Sequence, residues 1–256
     1  MRILLPAILG LLVACGSSDT REGTETHNDS AMTSEVDTTS AAVNELSAAE
    51  KNEGWQLLFD GKSKAGWHGY LKKNDSAWKV ADSALFLDVA TDGKHTGVDI
   101  VTDDEYENFH LKVDWKISEG GNSGIMFGVK ESQEFENTYF TGPEMQVLDN
   151  EKHSDAKINK HRAGDLYDLI ASSTETVKPA GEWNTAEIIL KDSTLELKLN
   201  GTTSVTTKLW DDNWKKLVMG SKFVAWPAFG TFKSGRIALQ DHGNKVWYRN
   251  IKIRKL

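Results

Sequence analysis

Between His110 and Ile117 the chain alternates strictly: Leu111, Val113, Trp115 and Ile117 are apolar, while Lys112, Asp114 and Lys116 are charged. Only an extended strand sends successive side chains to opposite faces, so one row is marked for a core and the other for solvent. Short runs of similar character recur at Trp55-Phe59, Leu85-Val89, Gly124-Val129, Glu144-Leu148, Ala186-Leu190, Leu195-Leu199, Thr203-Lys208, Gly235-Leu239 and Val246-Ile253. Lys191-Asp192-Ser193 reads as a tight hairpin, and Asn200-Gly201-Thr202 as another hairpin turn rather than a glycosylation site. No stretch beyond the N-terminus keeps a helical period for long, and strands do not alternate with helices, which argues against a parallel α/β sheet. The expected fold is all-β: an antiparallel sandwich or jelly roll, with the last strand pairing near the first.

The N-terminus is of another kind. Met1-Arg2, the apolar run Ile3 to Ala14 and then Cys15 follow the order of an export signal, and the run is too short to span a bilayer. Leu12-Val13-Ala14-Cys15 resembles the bacterial lipobox, which implies cleavage after residue 14 and a lipid on Cys15. Cys15 is the only cysteine, so no internal disulfide competes for its thiol. An exported protein held at a bacterial membrane by this lipid is expected, outer-membrane and facing either the periplasm or the cell surface. Residues 15–50 are rich in Ser, Thr and acidic side chains and contain no aromatic residue, and are expected to form a disordered stalk with at most a weak helical turn from Ala41 to Lys51. The folded domain is expected to span residues 53–256, with its first strand at Trp55. A formal charge of −8 argues against nucleic acid as a partner. Nothing in the sequence indicates an oligomeric state.

Two polar clusters are candidates for chemistry. In Glu144-Met145-Gln146-Val147-Leu148-Asp149-Asn150, alternation puts Glu144 and Gln146 together on the face opposite Met145 and Val147. Buried without partners, the amide alone would cost roughly 2–7 kcal/mol, so the pair requires a satisfied network between sheets or a ligand. In Gln240-Asp241-His242-Gly243, Gln240 and His242 share a side at a strand end. His242 is open to three roles: general base, metal ligand or donor to sugar hydroxyls, although isolated histidines are more often structural. The segment Asp149 to Asp168 reads as a long loop over a sheet, in which His161, Arg162 and Tyr167 are the candidates and most other charges are solvated. Asn122-Ser123-Gly124 follows a Gly-Gly bend. Of the tryptophans, Trp67 and Trp226 stand beside turn residues and are candidates for a ligand rim, whereas Trp55, Trp78, Trp115, Trp183 and Trp247 are expected mostly in the core. Phosphate-loop, HExxH, CxxC and GxSxG motifs are all lacking, so nucleotide hydrolysis, zinc proteolysis and serine hydrolysis have no support. A carbohydrate ligand is the reading left.

Taken in order, Gly54-Trp55 to Asp60-Gly61, Asn122-Ser123-Gly124-Ile125, Glu144 to Asn150, His161-Arg162-Ala163-Gly164 with Leu166-Tyr167-Asp168, Gly181-Glu182-Trp183-Asn184 and Gln240-Asp241-His242-Gly243 resemble the 3-keto-disaccharide hydrolase family. The resemblance implies a concanavalin-like β-sandwich with a concave sugar-binding face, acting on glycosides oxidised to a ketone at C3. Such a ketone acidifies the C2 proton, so one base and one stabiliser of the enolate suffice to expel the C1 substituent, after which water adds back. Glu144 or His242 is the candidate base. Arg249, a divalent cation or an amide such as Gln146 is the candidate stabiliser, and Asn122, His161, Arg162, Tyr167, Gln240 and Trp67 are candidates for binding substrate. Asp149 with Glu144 and His242 is a candidate set for a divalent metal, although the spacing is not diagnostic, and no cofactor is otherwise indicated. Two alternatives stay open. A retaining glycosidase would need carboxylates about 5–5.5 Å apart, but Glu144-x-Gln146-x-x-Asp149 carries an amide where glucanases of this fold carry an acid. A sugar-binding lipoprotein without catalysis would use the same fold.

Overall fold

The computed structural model describes residues 41–89 and 97–256. Cys15, the signal segment and residues 16–40 of the expected stalk lie outside the described residues. After a short helix α1 (Ala48–Asn52) come β1 (Gln56–Leu57), β2 (Trp67–Gly69), β3 (Trp78–Ala81), β4 (Ala84–Leu87), β5 (Ile100–Thr102), β6 (Phe109–Ile117), β7 (Asn122–Val129) and β8 (Glu144–Leu148). Next are β9 (Asn184–Lys191), β10 (Thr194–Leu199), β11 (Thr202–Lys208), helix α2 (Asp212–Met219), β12 (Arg236–Leu239) and β13 (Val246–Lys255). The strands form two antiparallel sheets, one ordered β11-β10-β9-β6-β13-β4-β3 with β1 also on β13, the other β2-β5-β12-β7-β8. The chain is thus an all-β sandwich, and its first and last strands pair as expected, Gln56 opposite Ile253.

The alternation read from β6 is realised: Leu111, Val113, Trp115 and Ile117 are buried, and Lys112, Asp114 and Lys116 are not. Together with Ile188, Leu197, Tyr248, Phe127, Val147 and Leu239 they form one core between the sheets, where each fully buried side chain of this size contributes roughly 1.5–3 kcal/mol. Hairpin geometry follows the turn residues. Asp192 and Ser193 have φ of 47° and 71°, and Asn200 and Gly201 have 52° and 80°, the paired positive φ that a two-residue hairpin with right-handed strand twist requires.

The domain starts earlier than expected. The sequence places residues up to 50 in the stalk, yet Asn44 is buried, its backbone N–H donates to Asn250 Oδ1 at 2.6 Å, and its own Oδ1 accepts from the Asn250 N–H at 2.7 Å. Its side-chain amide also donates to the Ser83 carbonyl at 2.8 Å. Ser47 and Glu50 form a reciprocal capping box on α1, and Glu53 pairs with Arg254 at 3.1 Å while Glu50 pairs with Lys252. Trp55 lies across His110, their ring centroids 4.7 Å apart. This segment therefore fastens onto the outer face of the eight-stranded sheet. α2 was also unexpected; it is only eight residues long and is capped by Asp211, which accepts from the Trp214 N–H at 2.7 Å.

Candidate active site

In β7, β8 and β12 the odd-numbered residues Ile125, Phe127, Met145, Val147, Ile237 and Leu239 belong to the main core. Alternation then turns Asn122, Glu144, Gln146 and Gln240 to the outer face of the five-stranded sheet. This face is not open to water, because β8 is buried along its whole length under covering loops. The segment after β8 runs back along it like an irregular extra strand: Gly164 N–H donates to Gln146 O at 2.9 Å, Gln146 N–H to Asp165 O at 3.1 Å and Tyr167 N–H to Glu144 O at 3.0 Å. Tyr167 is thereby set beside Glu144. From the other side, the turns around Tyr139 and around Lys222 to Trp226 close over the sheet, with Trp226 stacked on Phe140 (5.4 Å, 22°) and set edgewise to Tyr139 (5.4 Å).

The result is a cavity of about 280 Å³. Seven residues anticipated from sequence line it: Asn122, Glu144, Gln146, Tyr167, Trp226, Gln240 and His242. The rest of its wall is Tyr139, Lys222 and Phe223, none of which had a sequence signal.

Glu144 is 5% exposed. Its carboxyl lies directly over Gly124, where a Cβ would stand 2.5 Å from Glu144 Cδ and closer still to Oε1, so only glycine leaves room for the acid. No protein donor reaches the carboxyl among the described residues, and burial pushes its pKa up to about 8, against the pull of the Lys222 charge and helped by the negative charges of Asp99 and Asp155. Lys222 donates from Nζ to Tyr167 Oη at 3.0 Å, and its backbone N–H donates to Asp168 Oδ2 at 2.8 Å. Asp168 also meets His161 Nε2 at 3.0 Å. Burial, followed by the charge on Glu144, raises the Tyr167 hydroxyl well above its ordinary range, so it stays protonated.

Gln146 is 1% exposed. Its Nε2 donates to the His161 carbonyl at 3.3 Å and to Asn122 Oδ1 at 3.4 Å. A backbone carbonyl can only accept, which fixes the orientation of the amide. Among the described residues Oε1 is left buried without a partner. Gln146 therefore offers an acceptor to a ligand hydroxyl and has no amide hydrogen to spare for an enolate oxygen, a correction to that candidate role. His242 is exposed at the rim, its ring 6.2 Å from that of His153.

Other anticipated residues lie elsewhere. Trp67 is no ligand rim: it is 6% exposed, packs in the core and donates from Nε1 to the Leu58 carbonyl at 2.6 Å. Arg249 projects from the outer face of the opposite sheet, 4.0 Å above the Trp183 ring and 3.8 Å from Asp114, so the core separates it from Glu144. Arg162 pairs with Glu175 at 2.6 Å beside a different surface hollow. His161 stands behind Tyr167, ring centroids 4.3 Å apart, and positions the wall without lining the cavity. Asp149 accepts from the Gly120 N–H at 2.7 Å and the Glu151 N–H at 3.0 Å. Its oxygens serve a turn, and no group of three or more His, Cys, Asp or Glu side chains among the described residues is arranged to hold a metal ion. The residues present do not fit the metal set of Asp149, Glu144 and His242.

A two-sheet sandwich whose outer face carries one buried acid, an orphaned amide oxygen, a lysine and aromatic walls defines a class: β-sandwich proteins with a pocket for a hydroxyl-rich ligand. The model of the 3-keto-alpha-glucoside-1,2-lyase-like domain matches residues 54–254, and the chain belongs to that family. It is 32% identical to a 3-keto-disaccharide hydrolase of Bacteroides thetaiotaomicron, over 96% of this chain and 95% of that protein. Among solved structures, a candidate glycosyl hydrolase of Parabacteroides distasonis superposes with a TM-score of 0.77 at 33% identity, covering 84% of this chain and 100% of that one. A second from the same organism gives 0.59 at 25% identity, covering 79% and 99%.

Proposed function

We propose that the protein is an enzyme that cleaves the glycosidic bond of 3-keto-glycosides, with Glu144 as the base. The observation that carries this reading is a nearly buried carboxyl, without a protein donor among the described residues and with its pKa pushed up to about 8, facing a cavity that also holds a lysine. A base poised near the working pH is what abstraction of a proton beside a carbonyl requires. With the keto ring in the cavity, Glu144 removes the C2 proton and the electron pair moves onto the C3 oxygen. That oxyanion is stabilised by the Lys222 ammonium with the Tyr167 hydroxyl, the role sequence reasoning gave to Arg249. As the carbonyl re-forms, the C1–O bond breaks and the leaving oxygen takes the proton that Glu144 removed. Water then adds across C1 and C2 to return the 3-keto sugar. The name of the Bacteroides relative, a 3-keto-disaccharide hydrolase, agrees with this route. No step passes through a metal.

We further propose that Cys15 carries a lipid and holds the enzyme at a bacterial membrane, on the strength of the lipobox-like Leu12-Val13-Ala14-Cys15.

The direct test offers the protein a 3-keto-glucoside and its unoxidised parent and follows aglycone release. Release from the keto form alone is expected, and Glu144→Gln is expected to lower it by about 10²–10⁴-fold. Release from the parent would favour an ordinary glycosidase; binding without release would favour a sugar-binding protein.

A further inference from the structure

The Lys222 ammonium and the Tyr167 hydroxyl meet across 55 residues of chain. Tyr167 is held from its own side, since its N–H donates to the Glu144 carbonyl at 3.0 Å. Lys222 stands on a separate turn, and Asp168 joins that turn to the segment over β8. Asp168 follows Tyr167 directly and does not line the cavity. Its Oδ2 accepts from the Lys222 backbone N–H at 2.8 Å, while its Oδ1 meets His161 Nε2 at 3.0 Å. We infer that Asp168 is a positioning residue for the elimination: it fixes the backbone of Lys222 so that the ammonium stays beside Tyr167 and over the reacting ring. The inference rests on the reaction proposed above and adds to it a side chain that never touches the substrate.

The local geometry suits this task. Asp168 has a φ of 58°, in the left-handed region that Asp and Asn enter more readily than other residues with a side chain. Its own N–H closes the bend by donating to the Lys160 carbonyl at 2.8 Å. A carboxylate only accepts, so His161 Nε2 carries the hydrogen in their contact, and the carboxylate is held through both oxygens. Burial works to raise the pKa of Asp168, but the bonds from His161 and from the Lys222 N–H outweigh it and keep the carboxyl below its ordinary range. Both bonds are therefore made to a charged acceptor, the stronger kind. On the other side of the link, Lys222 opens the turn Lys222–Ala225, where Ser221 Oγ accepts from the next N–H, that of Phe223, at 3.2 Å. Lys222 is thus held at its backbone by Asp168 and at its tip by Tyr167 Oη, 3.0 Å from Nζ. With the backbone released, its flexible four-carbon stem lets the ammonium drift, and a misplacement of about 1 Å can cost on the order of 10²-fold in rate.

A double-mutant cycle on a 3-keto-glucoside tests the link. Asp168→Gly removes the carboxylate without straining the left-handed backbone, and Asp168→Asn keeps an oxygen for the Lys222 N–H. Asp168→Gly is expected to lower kcat by about 10–10²-fold, with KM changed by less than about threefold because the cavity lining is intact. Asp168→Asn is expected to keep kcat within about threefold of the wild type. In a Lys222→Met background, where the ammonium is already gone, Asp168→Gly is expected to cost less than about twofold more. An equal loss from Asp168→Gly in both backgrounds, an unchanged kcat in Asp168→Gly, or a loss in Asp168→Asn as large as in Asp168→Gly would overturn the positioning role while leaving Glu144 and Lys222 in theirs. A wild type that does not cleave the keto-glucoside, or a Lys222→Met variant as active as the wild type, would overturn the parent reading and the positioning role with it.

Discussion

Glu144 is a stability liability of calculable sign. Its ordinary pKa is 4.5 and burial lifts it to about 8 in the folded chain. Between those values the folded state holds a proton that the unfolded state has released, so folding weakens as pH rises from about 4.5, and the loss is complete above about 8. Glu144→Gln removes the titration. Its Tm is expected to exceed that of the wild type at pH 8 by on the order of 5 °C, the gap shrinking toward pH 5; a gap independent of pH in thermal melts would show that the acid is not paying a burial cost. Lys222 acts in the opposite direction on Glu144, holding its carboxyl down. Lys222→Met is accordingly expected to lower kcat by about 10²–10³-fold and to move the acid limb of the kcat/KM profile to higher pH, both read from a single pH series. Glu144 and Gln146 were legible in the sequence because polar residues alternated with apolar ones on a strand too short of charge to be surface. Lys222 was not, since it opens a single 3-10 turn (Lys222–Ala225) too short to show a period, and only the tertiary fold brings it over β8.

At the scale of elements, what the sequence disclosed depended on length. The runs read from sequence each contain a strand, although Trp55-Phe59 keeps only the two residues of β1; the four-residue β3 was not among them, and β2 and β5, three residues each, are too short to show a period and exist because their neighbours pair with them. Periodicity also shows that a side chain faces outward without showing from which sheet. Arg249 was misplaced for this reason: β13 lies in the eight-stranded sheet, and its outward face is on the far side of the sandwich from the cavity. The early start of the domain was hidden by composition, because Asn44 looks like any stalk residue until its partner 206 residues away is known. Asn44→Ala removes the side-chain amide that donates to Ser83 and accepts from Asn250, and leaves the Asn250 N–H unpaired. A loss of about 1–3 kcal/mol is expected, read as a lower urea midpoint; an unchanged midpoint would reduce the contact to decoration.

For the molecule as a whole, the sandwich was legible from strand count and turn chemistry, and the family from the order of its motifs, whereas the pocket walls emerged only from the way loops fold over one sheet. No helix among the described residues is long and apolar enough to cross a membrane. The proposed membrane attachment rests on the lipobox-like Leu12-Val13-Ala14-Cys15. Cys15→Ser is expected to move the protein from the membrane fraction to the soluble fraction and to abolish labelling by a radioactive fatty acid; retained label would refute the lipid assignment. The clasp formed by Asn44, Glu50 and Glu53 carries a further consequence. It brings the chain into the domain behind the eight-stranded sheet, while the cavity opens on the outer face of the other sheet. A dye attached at Glu53, on the exposed side of this clasp, would therefore sit across the sandwich from Glu144 and report on the clasp without touching the cavity.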